Sequence, residues 1–161
     1  MKYLSSYLPL VATVANEFGI DLLDSQFHGD HLGLQVMSPE EFDEADALLL
    51  AYSVCTHDVM IHNRRNRVYQ FNDVFVVHGI HVPRIEIFEP KPGSDLRKLK
   101  PGIEHIAFTV DEYDALLNVF ETQHLPIDKK QEYENGSKFF KTSFVNLVEI
   151  EFRNDHLGVL K

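Results

Sequence analysis

The sequence predicts an α+β fold: two βαβββ modules that pair into a cupped, mixed β-sheet with their helices outside, preceded by a helical N-terminal extension. Three observations carry this reading. Asp30-His31-Leu32-Gly33-Leu34-Gln35-Val36 and Glu104-His105-Ile106-Ala107-Phe108-Thr109-Val110 share one layout: acid, His, apolar, small, apolar, polar, Val. Ile85-Glu86-Ile87 and Val148-Glu149-Ile150 repeat a second motif late in each half. Between opening and close, each half has a helix-like stretch followed by short strand-like stretches. One βαβββ unit leaves a sheet face uncovered, so an internal duplication that closes two units on each other is the economical arrangement.

The elements follow in order along one predicted domain, residues 1–161. Residues 1–29 form the extension. Leu4, Tyr7, Leu8, Val11, Val14, Ala15 and Phe18 recur at helical spacing and Gly19 follows as a stop, which predicts a packed amphipathic helix rather than a cleavable leader. No apolar run is long enough for a helix to span a bilayer.

The first module covers residues 30–92. Its opening strand leads into Ser38-Pro39-Glu40-Glu41, a helix start with Ser as N-cap, Pro in first position and Glu in third. Phe42, Ala45, Leu48, Leu49 and Tyr52 give that helix its buried stripe. Strands are predicted around 54–61, 68–71 and 81–89, with 64–66 as the first turn. A linker at 93–102 lies among Pro90, Pro92, Gly93, Pro101 and Gly102. The second module, 103–153, repeats the plan: a strand at 104–110, a helix from Asp111 with Tyr113, Leu116, Leu117 and Phe120 inward, and strands around 127–133, 138–144 and 147–152. Asn135-Gly136 signals a hairpin, and Asn146 turns the last one.

Composition narrows the function classes. An apolar fraction of 44% is ordinary for a globular chain. At 161 residues, folding buries roughly 70% of the extended chain's surface, enough for a core without covalent staples. The single cysteine, Cys55, rules out an intramolecular disulfide, which suits a cytoplasmic setting, and its apolar surroundings read as an inert thiol. The net charge of −10 opposes nucleic acid as a partner. The basic cluster Arg64-Arg65-Asn66-Arg67 reads as a solvated hairpin tip, or alternatively as a clamp for an anionic substrate.

Strand alternation sorts the chemistry. His31, Gly33 and Gln35 point to one face, and Leu32, Leu34 and Val36 to the other; His105, Ala107 and Thr109 oppose Ile106, Phe108 and Val110. Glu86 opposes Ile85 and Ile87, and Glu149 opposes Val148 and Ile150. Two His and two Glu on the faces opposite apolar rows are a donor set for a borderline divalent ion: Fe, Mn, Ni, Co or Zn. A lone His at a strand start is ordinarily a core residue. The repetition of setting is what argues for ligands. His28 is close enough in sequence to His31 for a supporting or relay role, while His57, His62, His78, His81, His124 and His156 lack the symmetry.

A duplicated βαβββ in which His opens each half and Glu sits on each fourth strand resembles the vicinal oxygen chelate superfamily. The motifs are Asp30-His31-Leu32-Gly33-Leu34, Ile85-Glu86-Ile87-Phe88-Glu89-Pro90, Glu104-His105-Ile106-Ala107-Phe108 and Val148-Glu149-Ile150. Within that superfamily the chain is most similar to the YecM-like putative metal-binding enzymes, through the helical extension, the acid-His opening, the Pro-x-Pro-Gly break and Gly102-Ile103-Glu104-His105. The resemblance implies metal positions at His31, Glu86, His105 and Glu149. Glu89 and Glu151 are rivals if a strand register slips. Glu151 shares the metal face and is the general-base candidate, whereas Glu89 faces away.

The implied function is a metal-dependent enzyme acting on a small oxygen-chelating substrate by proton transfer, as isomerase, epimerase or lyase, ahead of Fe(II) dioxygenase chemistry. Two readings compete. One is a non-catalytic small-ligand or metal-binding protein, which has less reason to bury two carboxylates. The other is an interaction module using the N-terminal helix. The expected partner is a small molecule, and the chain is expected as a monomer or homodimer.

Overall fold

Strand β1 (Phe27–Gln35) carries the first acid-His motif into the centre of an open, mixed sheet of eight strands. The computed structural model describes residues 15–16, 19–77, 79–99, 102–143 and 149–157. After β1 come α1 (Pro39–Leu50), β2 (Ser53–Ile61), β3 (Arg64–Val77) and β4 (Ile80–Phe88). A short 3-10 turn at Leu96–Lys98 precedes β5 (Gly102–Val110), α2 (Tyr113–Thr122), β6 (Lys129–Glu132), β7 (Lys138–Ser143) and β8 (Glu149–Arg153). Each half is therefore βαβββ.

The strand order is β2-β3-β4-β1-β5-β8-β7-β6. Within each half the first and fourth strands run parallel, β1 with β4 and β5 with β8. The halves join through the antiparallel pair β1 and β5, in which His31 lies opposite Ala107 and Gly33 opposite His105. That pairing is a pseudo-twofold: His31 and His105 exchange, as do Gly33 and Ala107.

Both helices cover one face. Tyr113, Leu117 and Phe120 of α2 pack with Leu32, Ile106, Phe108, Phe140, Ile150 and Phe152. Phe42 of α1 packs with Val36, Tyr69 and Ile87. These are the predicted apolar rows, and burying them directs the intervening side chains to the opposite face. Helix α1 starts as expected, with Ser38 Oγ accepting from Glu41 N and Glu41 Oε2 accepting from Met37 N. Helix α2 starts at Tyr113, two residues later than predicted, and its N-cap Glu112 makes no side-chain cap bond.

The first hairpin differs more. Its turn is His62-Asn63, both at positive φ (51° and 59°), and Arg64–Asn66 belongs to β3. Two consecutive left-handed residues make the tight turn whose twist matches the flanking strands. The expected N-terminal helix and the Asn146 turn lie almost entirely outside the described residues. Ala15 and Asn16 are helical, and bonds from Ile20 N to Ala15 O and Gly19 N to Asn16 O, with Gly19 at φ 76°, end that turn in a Schellman motif.

Candidate metal centre

His31 and His105 reach the face opposite the helices from the two central strands, and both are almost fully buried. Their Nε2 atoms lie 3.1 Å apart, with the rings at 90°. Glu86 on β4 completes a triangle, its Oε2 3.9 Å from His31 Nε2 and 3.6 Å from His105 Nε2. These three residues bring one donor atom each within 4.8 Å of one another.

The far side of each ring decides the character of this triangle. His31 Nδ1 is 2.7 Å from Asp30 Oδ2, and His105 Nδ1 is 3.2 Å from Glu104 Oε2. An ionised carboxylate only accepts, so each pair places the ring proton on Nδ1. Both rings then turn Nε2 to the same point, beside a carboxylate oxygen. Donors about 2.0–2.2 Å from an ion stand roughly 3.0 Å apart in octahedral and 3.4 Å apart in tetrahedral geometry, so the observed triangle needs only small adjustments to close on one ion. The residues fit a divalent metal.

Asp30 is the hub behind His31. Fully buried, it accepts from Arg84 Nη1 at 2.6 Å and Leu157 N at 3.0 Å, and pairs with His156 Nδ1 at 2.7 Å. Burial pushes its carboxyl up, but the bonds to His31, Leu157 and His156 outweigh that and bring it down to about 2. Glu104 is likewise held below the usual carboxylate range: burial raises it, and the His105 hydrogen bond together with the charges of His105, Lys141 and Arg64 outweighs that. Glu86 is fixed by Asn66, whose Nδ2 donates to Oε1 at 2.6 Å. Phe88 stacks beside His105, with centroids 6.1 Å apart and planes 14° apart, and the Arg64 guanidinium covers Phe88 at 4.7 Å.

The remaining expected residues are placed as follows. Glu149 stands opposite His105 in the β5–β8 ladder and Glu151 opposite Ala107. Lys141 Nζ bridges them, 3.2 Å from Glu149 Oε2 and 3.3 Å from Glu151 Oε2. Arg153 Nη1 adds a 2.6 Å bond to Glu151. Burial would raise the Glu151 carboxyl, but attraction from His105, Lys141, His31 and Arg153 holds it down at about 2. In the first module Glu86 stands opposite Gly33 and Arg84 opposite His31. By register, then, the counterpart of Glu86 is Glu151 and the counterpart of Arg84 is Glu149.

Outside the centre, Glu89 pairs with Arg65 at 2.7 Å, and Arg65 and Arg67 also bind Asp43, Asp46 and Asp58. Of the basic cluster, Asn66 holds Glu86 and Arg64 borders the candidate site over Phe88. His28 binds Asp111 and stands apart from His31. Cys55 is half-buried and donates to His57 O, and burial pushes its thiol up. Sequence reasoning missed Lys141 and His156: neither belongs to the repeated motif, and only the sheet order brings them in. The supporting roles of Asp30 and Glu104 were signalled by the acid-His pairing itself.

The sequence profile of the YecM protein family matches residues 1–155. The chain belongs to the YecM family. No protein of curated description matches the sequence significantly. Among solved structures, the protein EC4020 superposes with a TM-score of 0.75 at 13% identity, covering 94% of this chain and 84% of its own. Methylmalonyl-CoA epimerase from Streptomyces coelicolor, solved with 2-nitronate-propionyl-CoA, gives a TM-score of 0.58 at 18% identity over 80% of this chain and 97% of the other. The Mycobacterium tuberculosis epimerase gives 0.58 at 18% over 81% and 89%. These likenesses show the fold: the YecM-family chain has the paired βαβββ architecture of the vicinal oxygen chelate superfamily. Among the described residues no helix is long and apolar enough to cross a membrane.

Proposed function

We propose that this YecM-family protein is a divalent-metal-dependent enzyme that moves a proton on a small oxygen-chelating substrate, as an isomerase or epimerase. The observation that supports this reading is the convergence of the His31 and His105 Nε2 atoms at 3.1 Å beside Glu86, each ring held at Nδ1 by a carboxylate. A buried site of this kind has little use in a purely apolar binding protein. The epimerase neighbours support proton transfer over other chemistry, as analogy of fold.

His31, Glu86 and His105 hold the ion in this reading; Fe, Mn, Ni, Co and Zn all accept such donors. When bound it supplies Lewis acidity for negative charge developing on substrate oxygens. Asp30 and Glu104 keep the ring protons on Nδ1. The pairing register supports exchanging the expected roles of the last two carboxylates. Glu151, the register counterpart of Glu86 but outside the three-residue group, is the fourth donor in this reading. Held at about 2, it is ionised but a weak base. Glu149, with 37% of its side chain exposed, is the carboxylate a substrate reaches, and it carries the proton. Lys141 pairs with both. The two-His, one-carboxylate grouping also favours a second reading, an Fe(II) dioxygenase.

Elemental analysis of untagged protein prepared without chelator, beside a His31→Ala/His105→Ala variant, tests the metal. Near-stoichiometric metal in the parent and none in the variant is expected. Incubation in D₂O with 2-oxo acids and branched acyl thioesters, followed by proton NMR, tests the chemistry through loss of the α-proton signal. Oxygen consumption without exchange would favour the dioxygenase. A parent that takes up no first-row divalent ion would leave a metal-free binding protein as the better account.

A further inference from the structure

One row of directly opposed residues crosses the sheet: Arg84, His31, Ala107, Glu151, Lys141 and Lys129. Its last two members are unusual. Lys129 and Lys141 face each other on β6 and β7, and like charges in directly opposed positions weaken a sheet. Nothing in the composition forces the pairing, since the chain carries 25 acidic and 15 basic residues.

The two ammonium groups differ in their partners. Lys141, 14% exposed, is shared between Glu149 and Glu151. Lys129 has no hydrogen-bond or carboxylate partner among the described residues; its Nζ rests 4.9 Å from the Phe139 ring centroid. Its proton affinity is lowered, by burial first and then by Lys141 and Lys91. Lys129 is exposed and Glu151 and Glu149 offset part of this effect; an anion beside it would relieve the repulsion from Lys141 and Lys91.

The pseudo-twofold sharpens the contrast. Val68 stands opposite Glu86 in the first module as Lys141 stands opposite Glu151 in the second. Val68 is buried and apolar. At this position the first module thus has a valine where the second has a lysine, although the candidate donors come from both halves. Duplication alone would have made the two positions alike.

We infer that Lys129, backed by Lys141, is a subsite for a second anionic group of the substrate, and that the substrate class is a small diacid chelated at His31, Glu86 and His105 through one end. This rests on the metal-enzyme reading above. Lys129 lies three strands from β5, roughly 14 Å at the backbone, on the same face as the candidate centre. The charge offered is that of Lys129, with Lys91 near it, because Lys141 is already engaged by two carboxylates. It therefore matches a carboxylate better than a doubly charged phosphate.

The test compares 2-oxoglutarate with 2-oxopentanoate, which have the same 2-oxo acid head and chain length and differ in the terminal carboxylate. Calorimetric affinities are measured on Mn²⁺-loaded parent, Lys129→Gln and Lys130→Gln, with Mn²⁺ occupancy read by EPR on the same samples. Lys130 is the control, since it pairs with Glu121 on the sheet's other side. The expected result is at least a tenfold preference for the diacid in the parent and in Lys130→Gln, abolished in Lys129→Gln. Bound Mn²⁺ with no preference in the parent, or a preference that survives Lys129→Gln, overturns the subsite and leaves the metal reading intact. Failure to bind Mn²⁺ counts against the metal reading. In that case, diacid binding by metal-free parent that is lost in Lys129→Gln upholds the subsite, and its absence removes the subsite too.

Discussion

The imidazole of His105 is seated directly against Gly33, its cross-strand partner: a Cβ at Gly33 would lie 2.1 Å from the ring's Cε1 and 2.4 Å from its Nδ1. The symmetric position is Ala107, opposite His31, where the chain does carry a Cβ. So one His of the pair depends on the absence of a side chain and the other does not.

Gly33→Ala should therefore push the His105 ring off Nε2 convergence without unfolding the sheet. The expected cost is about 1–3 kcal/mol in stability, as for overpacking, with at least a tenfold loss of divalent-ion affinity. Chemical denaturation and competition titration with a metal indicator measure the two separately. Ala107→Gly is the control and should leave affinity within threefold.

Asp30 joins the centre to Arg84 and to the segment carrying His156 and Leu157. Asp30→Ala removes the counter-charge of a mostly buried Arg84, and a loss of about 3–5 kcal/mol is expected in urea melts. His156→Ala should cost less, because that imidazole is half exposed, yet still lower metal affinity by loosening Asp30.

Asp30 also sets an acid limit. Its folded carboxyl is depressed from 3.8 to about 2, so the folded state binds the proton less readily than the unfolded chain does. The resulting stability, on the order of 2 kcal/mol, is present above pH ~4 and is lost as pH falls from there through ~2. Urea midpoints measured from pH 5 to pH 2 should fall less steeply in Asp30→Asn than in the parent. Parallel curves would show that another carboxylate controls this limb.

Glu149→Gln and Glu151→Gln distinguish the two carboxylates. If Glu149 carries the proton, its amide should reduce α-proton exchange at least a hundredfold while metal content holds. Glu151→Gln should instead lower metal affinity and leave Arg153 short of a buried counter-charge. The opposite pattern would restore the roles expected from the motif echo.

Phe120 is fully buried between α2 and the sheet, in edge contact with Phe140 at 4.8 Å and near Phe152 at 5.8 Å. Phe120→Ala should cost about 3–5 kcal/mol in thermal or chemical unfolding. Metal stoichiometry in the protein that remains folded should be unchanged, since this residue lies on the helix side.

Much of this could be read in advance because strand alternation is local. Once His31 and His105 were placed on strands, the apolar residues alternating with the candidate donors had to face the helices, and Leu32, Ile106 and Ile150 do. The Ser38-Pro39 helix start is local too, and α1 begins there. The Ile85-Glu86-Ile87 and Val148-Glu149-Ile150 echo does not match the strand register, because resemblance between two segments does not set their register against a third strand. Pairing with β1 and β5 makes Glu151 the counterpart of Glu86. The His62-Asn63 turn was hidden for a similar reason: neither residue announces positive φ as glycine would, and the strands on either side impose it.

The sequence by itself determined the duplication, the helix face, and the acid-His pairs that set each ring's tautomer, since all depend on neighbours a few residues apart. Only the tertiary structure decided which carboxylates answer one another, which His needs a glycine beneath it, and that Lys129 and Lys141 extend the row containing His31. Those relationships are set by inter-strand hydrogen bonding between segments distant in the chain. A shift of two residues preserves every side chain's face while changing every partner.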